Sequence, residues 1–199
     1  MTSIKILFWN AGGFNYDKFT KLIFIAFNQN FDLLGIVESG ASTEHFGLLS
    51  HKWISDFLFA ACTTGCFMVS LLYIRDPFTE NMTVRHTMTD SDRLEAVEIN
   101  AWRGDLHYCV FFLYDPPNNQ PNLDCLLDGW SRRSLLFGDF HAHSQRWRYS
   151  NTDTVGSLVE NFIDSAPIEY IENKDSDPNF CLLVVQHLIR ISCWPILIY

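Results

Sequence analysis

The sequence predicts one layered α+β domain, and three observations support this fold class. The chain has 199 residues, a length typical of a single domain with a substantial core. It is 48% hydrophobic and contains 17 phenylalanines and 6 tryptophans, which indicates a globular protein rather than a disordered one. Its pattern begins as strand, helix, strand and then changes to a run of strands, which favours layered helices and sheets with antiparallel pairing.

The N-terminal segment carries the first of these patterns. Ile4–Trp9 is a short apolar run followed by a Gly12-Gly13 pair, which is typical of a strand that ends in a turn. Asp32–Glu38 is a second apolar run, so we expect a buried strand there. Five apolar residues between Asn15 and Asn28 follow helical spacing and predict an intervening helix: Phe19, Leu22, Ile23, Ala26 and Phe27.

The rest of the chain adds strands and two helices. Leu94–Trp102 and Leu106–Tyr114 flank a short connection that contains Gly104, which is a hairpin signal. Further elements are expected from apolar runs and helical spacing: strands at Phe67–Ile74 and Leu135–Phe137, a short helix at Asn122–Asp128, and a helix carrying Leu158, Val159, Phe162 and Ile163.

The charge and the cysteines limit the classes of function. A net charge of −9 argues against a general binder of polyanions, because nucleic-acid-binding domains usually carry a basic face. The six cysteines show no tight framework, and no basic region precedes a long apolar core near the N-terminus. We therefore expect no signal peptide, free thiols, and an intracellular protein of the nucleus or cytoplasm.

The C-terminal residues differ in composition from the rest. We expect a domain over residues 1–180 and an apolar tail over residues 181–199. Phe180–Tyr199 is long enough to span a bilayer, but Gln186, His187 and Arg190 lie at its centre. An arginine there costs about 2.5–3.5 kcal/mol on insertion scales. The composition therefore favours a buried or poorly fitted terminal segment over a membrane anchor.

Four apolar runs each end in a residue that is able to bind a metal or a phosphate. These residues are Asn10, Glu38, Tyr114 and Asp139. Strand ends at one edge of a sheet bring distant residues together, and two carboxylates with an amide and a phenol suit a divalent-metal phosphoesterase. Each residue alone has an ordinary explanation: Asn10 satisfying its glycine turn, Glu38 emerging at the sheet edge, Tyr114 filling the core, and Asp139 capping its own backbone.

The segment from Gly138 to His143 is the most specific local signal. A glycine at a strand end lets the chain turn and present Asp139 outward, where the carboxylate could bind a cation or orient a water. His141 and His143 lie two residues apart and share one face if the backbone is extended. A His-x-His pair alone is a weak sign of a metal site.

Four segments, in this order, resemble the endonuclease/exonuclease/phosphatase superfamily. They are IKILFWNAGG, DLLGIVES, CVFFLYDPP and SLLFGDFHAHSQRW, and they are most similar to the endonuclease domain of non-LTR retrotransposons. The resemblance covers residues 4 to about 180. It rests on a Trp-Asn strand end, a Glu strand end, a Tyr-x-Pro-Pro segment, and a Gly-Asp-Phe segment followed by Trp147.

The resemblance implies a fold and a chemistry. The fold would be a four-layered α/β/β/α sandwich of two mixed, largely antiparallel sheets flanked by helices. The activity would be phosphodiester hydrolysis with Mg²⁺ or Mn²⁺, with DNA as substrate and no stable protein partner. Glu38, Asp139 and Asn10 would hold or support the metal, Tyr114 would contact the phosphate, and Asp139 would also orient or deprotonate the attacking water.

The sequence departs from the family's pattern in two places. His141 stands where the family carries Asn, although an imidazole offers a donor or acceptor of the kind an amide offers. The family also ends with further strands and a closing Ser-Asp-His, whereas here only Asn179 matches the start of the first, and no Asp-His pair follows Phe180. We therefore expect incomplete C-terminal strands and an impaired enzyme, with His141 in a catalytic position and His143, Trp147 and Asn179 as weaker phosphate or nucleic-acid contacts.

Other functions remain open at this stage. An abasic-site nuclease, a deadenylase or a lipid phosphatase would share the Asn, Glu and Gly-Asp pattern. A calcineurin-like metallophosphoesterase would need downstream Gly-Asp and Gly-Asn-His motifs that the sequence lacks. A catalytically inactive remnant that binds a metal or a partner is the non-enzymatic alternative.

Overall fold

The computed structural model describes residues 4–13, 15–29, 31–38, 57–59, 69–75, 82–88, 94–103, 105–165, 168–171 and 181–184. Within these residues it has two helices, two short 3-10 helices and ten strands arranged in two sheets. Both sheets are mixed and largely antiparallel, as the sequence predicts. No described helix has the length and apolar character that a membrane crossing requires.

The smaller sheet is built from the N-terminal part of the chain. Its strands are β1 (Ile6–Asn10), β2 (Leu33–Val37), β3 (Phe57–Phe59) and β4 (Val69–Arg75), in the spatial order β1-β2-β4-β3. Strands β1 and β2 are parallel and are joined by helix α1 (Tyr16–Gln29), which confirms the predicted strand–helix–strand unit. Asn15 caps α1, because its side-chain Oδ1 accepts a hydrogen bond of 2.9 Å from the Lys18 amide.

The larger sheet has six strands. These are β5 (Met82–Met88), β6 (Glu95–Arg103), β7 (Leu106–Tyr114), β8 (Ser134–Asp139), β9 (Glu169–Ile171) and β10 (Cys181–Val184), in the order β5-β6-β7-β8-β10-β9. The predicted hairpin is confirmed, since β6 and β7 pair antiparallel from Arg103 opposite Leu106 to Glu95 opposite Tyr114. Strands β7 and β8 are parallel, and this pairing matters most for the site.

The main core lies between the two sheets. One cluster of buried side chains includes Ile6, Leu33 and Val37 from the smaller sheet together with Val110 and Phe137 from the larger one. The two sheets are in close contact at Gly35. A Cβ atom at this position would lie 2.3 Å from the ring of Phe112, so a side chain there would force the sheets apart.

The other face of the larger sheet is covered by helical segments. A second cluster joins Phe111 and Leu136 of this sheet to buried residues of a 3-10 helix (Leu123–Gly129), of a second 3-10 helix (Gln145–Trp147) and of α2 (Thr154–Ser165). The predicted helix at Asn122–Asp128 is therefore a 3-10 helix capped by Asn122. The packing of α1 as the outermost of four layers stays a prediction.

Some sequence-based expectations need correction or lie outside the described residues. Leu158 was expected on the apolar face of α2, but it is 36% exposed, and the buried face is formed by Gly156, Val159, Phe162 and Ile163. Strands β3, β5 and β9 were not predicted. Cys181–Val184, the first residues of the expected apolar tail, form a strand between β8 and β9. Asn179 and residues 185–199 lie outside the described part of the chain.

Candidate active site

Two pairs of parallel strands bring the predicted site residues to one edge of the molecule. In the smaller sheet Asn10 is opposite Val37, so Asn10 and the next residue, Glu38, end adjacent strands. In the larger sheet Tyr114 is opposite Asp139. The carboxyl ends of parallel neighbours lie at the same sheet edge, and each pair therefore follows from strand direction alone.

Asn10 and Asp139 join the two sheets through a direct contact. The Asn10 side-chain Nδ2 donates a hydrogen bond to Asp139 Oδ2 across a separation of 129 residues in sequence. At its other end, Asn10 Oδ1 accepts from the Gly12 amide at 2.9 Å. Asn10 thus satisfies its glycine turn through its side-chain oxygen, while its side-chain nitrogen fixes the orientation of Asp139.

The two carboxylate oxygens of Asp139 accept different hydrogen bonds. Its Oδ1 accepts from the amide of His141 at 3.2 Å, which is the self-capping turn that the sequence allows. Its Oδ2 is held by Asn10 as described above. The residue is only 9% exposed, so both contacts are made in a partly dehydrated setting where hydrogen bonds to a carboxylate are strong.

Glu38 and His141 face each other across the edge of the site. His141 Nε2 lies 3.5 Å from Glu38 Oε1, and His141 Nδ1 lies 3.4 Å from Asp139 Oδ1 and 2.9 Å from the carbonyl oxygen of Asp115. Both residues have left-handed backbones, with φ of 52° for Glu38 and 44° for His141. Non-glycine residues in this region carry strain and are concentrated at functional sites.

Tyr114 is buried beside His141. It is 5% exposed, and its ring lies edge-on to the ring of His141 with centroids 5.5 Å apart. Burial raises the pKa of Tyr114 well above its usual range, and the negative charges of Glu38 and Asp139, with a hydrogen bond to Glu38, raise it further. A phenol is protonated at neutral pH at its ordinary pKa, and this one stays protonated to still higher pH, with its hydrogen bond donated to Glu38.

The loop after β8 carries two of the weaker candidates, Trp147 and His143, and they differ in exposure. Trp147 is 2% exposed and its indole Nε1 donates to the Ala142 carbonyl at 2.9 Å, so it holds the loop from below and presents little surface to a ligand. His143 is about half exposed and stacks on Tyr149 with ring centroids 4.3 Å apart. The loop is further tied to α2, because Asp153 caps that helix and also accepts from the His143 amide at 3.2 Å.

A cavity of about 740 Å³ opens over this edge. Of the predicted site residues, Asn10, Glu38, Asp139, His141, His143 and Trp147 line it. Its other walls are formed by residues after β7 and around the start of α2, namely Pro117, Asn118, Asn119, Gln120, Phe140, Ala142, Tyr149, Asp153, Thr154 and Val155. The structure therefore brings together the five residues predicted to be catalytic, counting Tyr114, which reaches the site through Glu38 and His141.

Sequence reasoning missed the residues that orient this set. Asp115 is fully buried, donates its amide to the Asp139 carbonyl at 2.8 Å and supplies the carbonyl that contacts His141. Asn119 in turn donates to Asp115 Oδ1 at 2.5 Å. The Tyr-Asp-Pro-Pro segment pointed to this loop, but a carbonyl oxygen is present in every residue and gives no sequence signal.

The donor set at the centre of the site fits a divalent cation. Glu38, Asp139 and His141 each place one ligand atom within 4.8 Å of the others. Two carboxylate oxygens and an imidazole nitrogen are common ligands of divalent metals. Two carboxylates this close also concentrate negative charge that a cation would offset.

Comparison with solved structures shows a shared fold at low sequence identity. The endonuclease domain of TRAS1, a telomere-specific non-LTR retrotransposon, matches with a TM-score of 0.65 and 12% identity over 91% of this chain and 84% of that one. TDP2 from D. rerio, complexed with single strand DNA product, matches with a TM-score of 0.57 and 12% identity over 83% and 67%. The 3′ phosphatase NExo from Neisseria, bound to a product DNA hairpin, gives 0.56 and 12% over 90% and 86%. No protein-family profile and no curated protein matches the sequence.

Proposed function

We propose that this chain, which has the fold of the endonuclease/exonuclease/phosphatase superfamily, is a metal-dependent DNA endonuclease that nicks one strand of a duplex. The single observation that carries the proposal is the convergence of Asn10, Glu38 and Asp139 from two sheets on one cavity edge. Nothing in the packing of a β-sheet core requires three polar residues, distant in sequence, to meet there. A phosphodiesterase does require them.

The carboxylates Glu38 and Asp139 would hold the divalent cation, Mg²⁺ or Mn²⁺. When bound, such an ion polarises the scissile phosphate as a Lewis acid and stabilises charge on the leaving oxygen. Asn10 donates to Asp139 and in this role positions the carboxylate. The Asn10 side chain is held at both ends, by Asp139 and by the Gly12 amide, so we assign it a positioning role.

The remaining residues would act on the substrate and on the attacking water. Asp139 has its carboxylate fixed from both sides, which suits a group that orients or deprotonates a water. Tyr114 is a neutral phenol at neutral pH, and burial and the neighbouring carboxylates raise its pKa further. If its single O–H turns from Glu38 to the substrate, it would donate to a phosphate oxygen, on which negative charge accumulates during the reaction.

The surroundings of the cavity favour a nucleic-acid strand over a small phosphomonoester. At the rim, His143 and Tyr149 form a stacked aromatic pair with a half-exposed histidine ring, on which a base could stack. Asn118 and Gln120, which also line the cavity, are exposed amides. Two of the structurally similar proteins are bound to DNA products, which supports DNA as the substrate class for this fold without transferring their specificities.

The proposal is tested by nicking of supercoiled plasmid with the purified chain in Mg²⁺ and in Mn²⁺. We compare the wild type with Asp139→Asn, and with Asp128→Asn as a matched control, because Asp128 is an exposed carboxylate on the 3-10 helix that does not line the cavity. We expect nicking that falls about 10²–10⁴-fold in Asp139→Asn and is unchanged in Asp128→Asn.

Three outcomes would overturn the proposal. Nicking that survives Asp139→Asn would come from a contaminant or another site. Hydrolysis of abasic duplex, poly(A), sphingomyelin or a sugar phosphate without plasmid nicking would indicate another phosphoesterase. Metal binding in calorimetry without hydrolysis of any of these substrates would indicate a chain that binds the ion without turnover.

A further inference from the structure

The Asp115 carbonyl fixes the tautomer of His141. A carbonyl oxygen only accepts hydrogen bonds, so the hydrogen atom in the 2.9 Å contact must belong to His141 Nδ1. The nearby Asp139 Oδ1, at 3.4 Å from the same nitrogen, is also an acceptor when ionised and requires the same assignment. In a neutral imidazole with its proton on Nδ1, the lone pair is on Nε2. The backbone thus orients a nitrogen ligand atom.

The Nε2 atom faces the Glu38 carboxylate, and a ring nitrogen of His141 lies within 4.8 Å of one oxygen each of Glu38 and Asp139. Nε2 lies 3.5 Å from Glu38 Oε1, and the His141 side chain is 29% exposed, so a small ion has access to it. Two ligands that are each about 2.1 Å from one ion are separated by roughly 3.0–3.4 Å for octahedral or tetrahedral angles. The observed separation is close to this range. A ring nitrogen whose partner N–H is held by a backbone carbonyl is also the usual arrangement of a metal-binding histidine.

We infer that His141 Nε2 is a third metal ligand beside Glu38 and Asp139, and that the site therefore takes a first-row transition ion such as Mn²⁺ in preference to Mg²⁺. Magnesium binds oxygen ligands almost exclusively, whereas imidazole suits transition metals. The role of this ion in turnover rests on the proposed phosphodiesterase function. The binding of the ion does not rest on that function, and the experiment measures binding alone.

Mn²⁺ is the most demanding probe for this inference, because among the first-row ions it is nearest to Mg²⁺ in its preference for oxygen. Loss of the free Mn²⁺ signal in electron paramagnetic resonance gives the affinity, and competition with Mg²⁺ gives the preference. Electron spin-echo envelope modulation of the bound ion reports directly on a coordinated ¹⁴N nucleus. The wild type is compared with His141→Asn, which substitutes an amide for the imidazole, and with His143→Asn, which removes the neighbouring histidine outside the cluster.

We expect ¹⁴N modulation in the wild type and in His143→Asn and none in His141→Asn. We also expect the preference for Mn²⁺ over Mg²⁺ to be about tenfold or more in the wild type and to fall about tenfold or more in His141→Asn. Far-ultraviolet circular dichroism checks that the variants are folded, and replacing histidine nitrogen with ¹⁵N in the wild type shows whether the coupled nucleus belongs to a histidine.

The inference is overturned if bound Mn²⁺ shows no ¹⁴N modulation, if the modulation persists in His141→Asn, or if Mg²⁺ binds as tightly as Mn²⁺. These outcomes are separate from those of the nicking assay. Plasmid nicking with no ¹⁴N coupling would remove His141 as a ligand and leave the proposed function intact. Nitrogen coupling without nicking would leave the ligand assignment intact and remove the function.

Discussion

Gly156 provides a test of how tightly α2 supports the site. It lies in the first turn of the helix, where alanine in place of glycine normally increases stability by about 1 kcal/mol. Here a Cβ atom would lie 1.8 Å from the carbonyl oxygen of His143, which is a backbone atom. Ordinary contact distances exceed this by more than about 1 Å, so the loop or the helix would have to move.

We therefore expect Gly156→Ala to be destabilising, opposite to its effect on helix propensity. Overpacking of a tight contact costs about 1–3 kcal/mol, and the loss for a chain of this size corresponds to about 2–4 °C in Tm per kcal/mol. The expected decrease in Tm is between about 2 and 12 °C. Because His143 follows His141 by two residues, displacement of its carbonyl would also shift the site and reduce any hydrolytic activity.

Thermal unfolding followed by circular dichroism measures the effect, with Asn161→Ala as the matched control. Asn161 is exposed on the same helix, so its replacement by alanine should increase stability by a few tenths of a kcal/mol, up to about 0.7. An increase in Tm for Gly156→Ala similar to that of the control would show that no close contact exists there, and the packing of α2 against the loop would have to be reconsidered.

Two further predictions concern buried groups outside the set formed by Glu38, Asp139 and His141. Burial raises the pKa of the Cys109 thiol from an ordinary 9.0 to about 12, and the charge of Glu98 adds to this effect. The protonated thiol therefore contributes stability that is fully present below pH 9 and is lost as the pH rises toward 12. Urea unfolding at pH 8 and pH 11 should show a steeper decline for the wild type than for Cys109→Ala, approaching 1.4 kcal/mol per pH unit, and equal declines would contradict the burial argument. Trp147→Phe should lower the free energy of unfolding by about 1–3 kcal/mol, because it leaves the Ala142 carbonyl without its 2.9 Å donor. The control Trp102→Phe, at a partly exposed ring, should lower the free energy of unfolding by less. Equal losses in the two variants would remove the role assigned to this hydrogen bond.

The strand ends that form the site were accessible to sequence reasoning because each has a local cause. An apolar run such as that of β1 or β8 forms a strand, and the polar residue after it emerges at the sheet edge. Only Asn10, Glu38, Tyr114 and Asp139 satisfied this pattern in an order that matches a known family, and the structure brings all four together. Predicting these four residues did not require knowledge of how the strands pair.

What the sequence could not specify depends on contacts between distant segments. Trp147 was expected as a weaker phosphate or nucleic-acid contact, but its ring is buried and its indole donates to a backbone carbonyl five residues earlier. The apolar run that begins at Cys181 was interpreted as a tail because apolar residues without alternation fit a buried strand and a tail equally well. Its pairing with Gly138 is decided by the open edge of β8, which is a property of the folded sheet.

The placement of His141 shows why chemistry at this site is sensitive to a single substitution. The strand ends supply two carboxylates from opposite sheets, and the Asn10–Asp139 hydrogen bond joins the sheets at that edge. Two residues after Asp139, His141 itself has a left-handed backbone, and its side chain faces Glu38. The side chain at position 141 therefore faces the Glu38 carboxylate, and an imidazole there changes the donor set while the two carboxylates stay in place. If the proposed ligand assignment holds, the choice of metal depends on this one loop residue, whereas the meeting of the two carboxylates depends on the packing of two sheets.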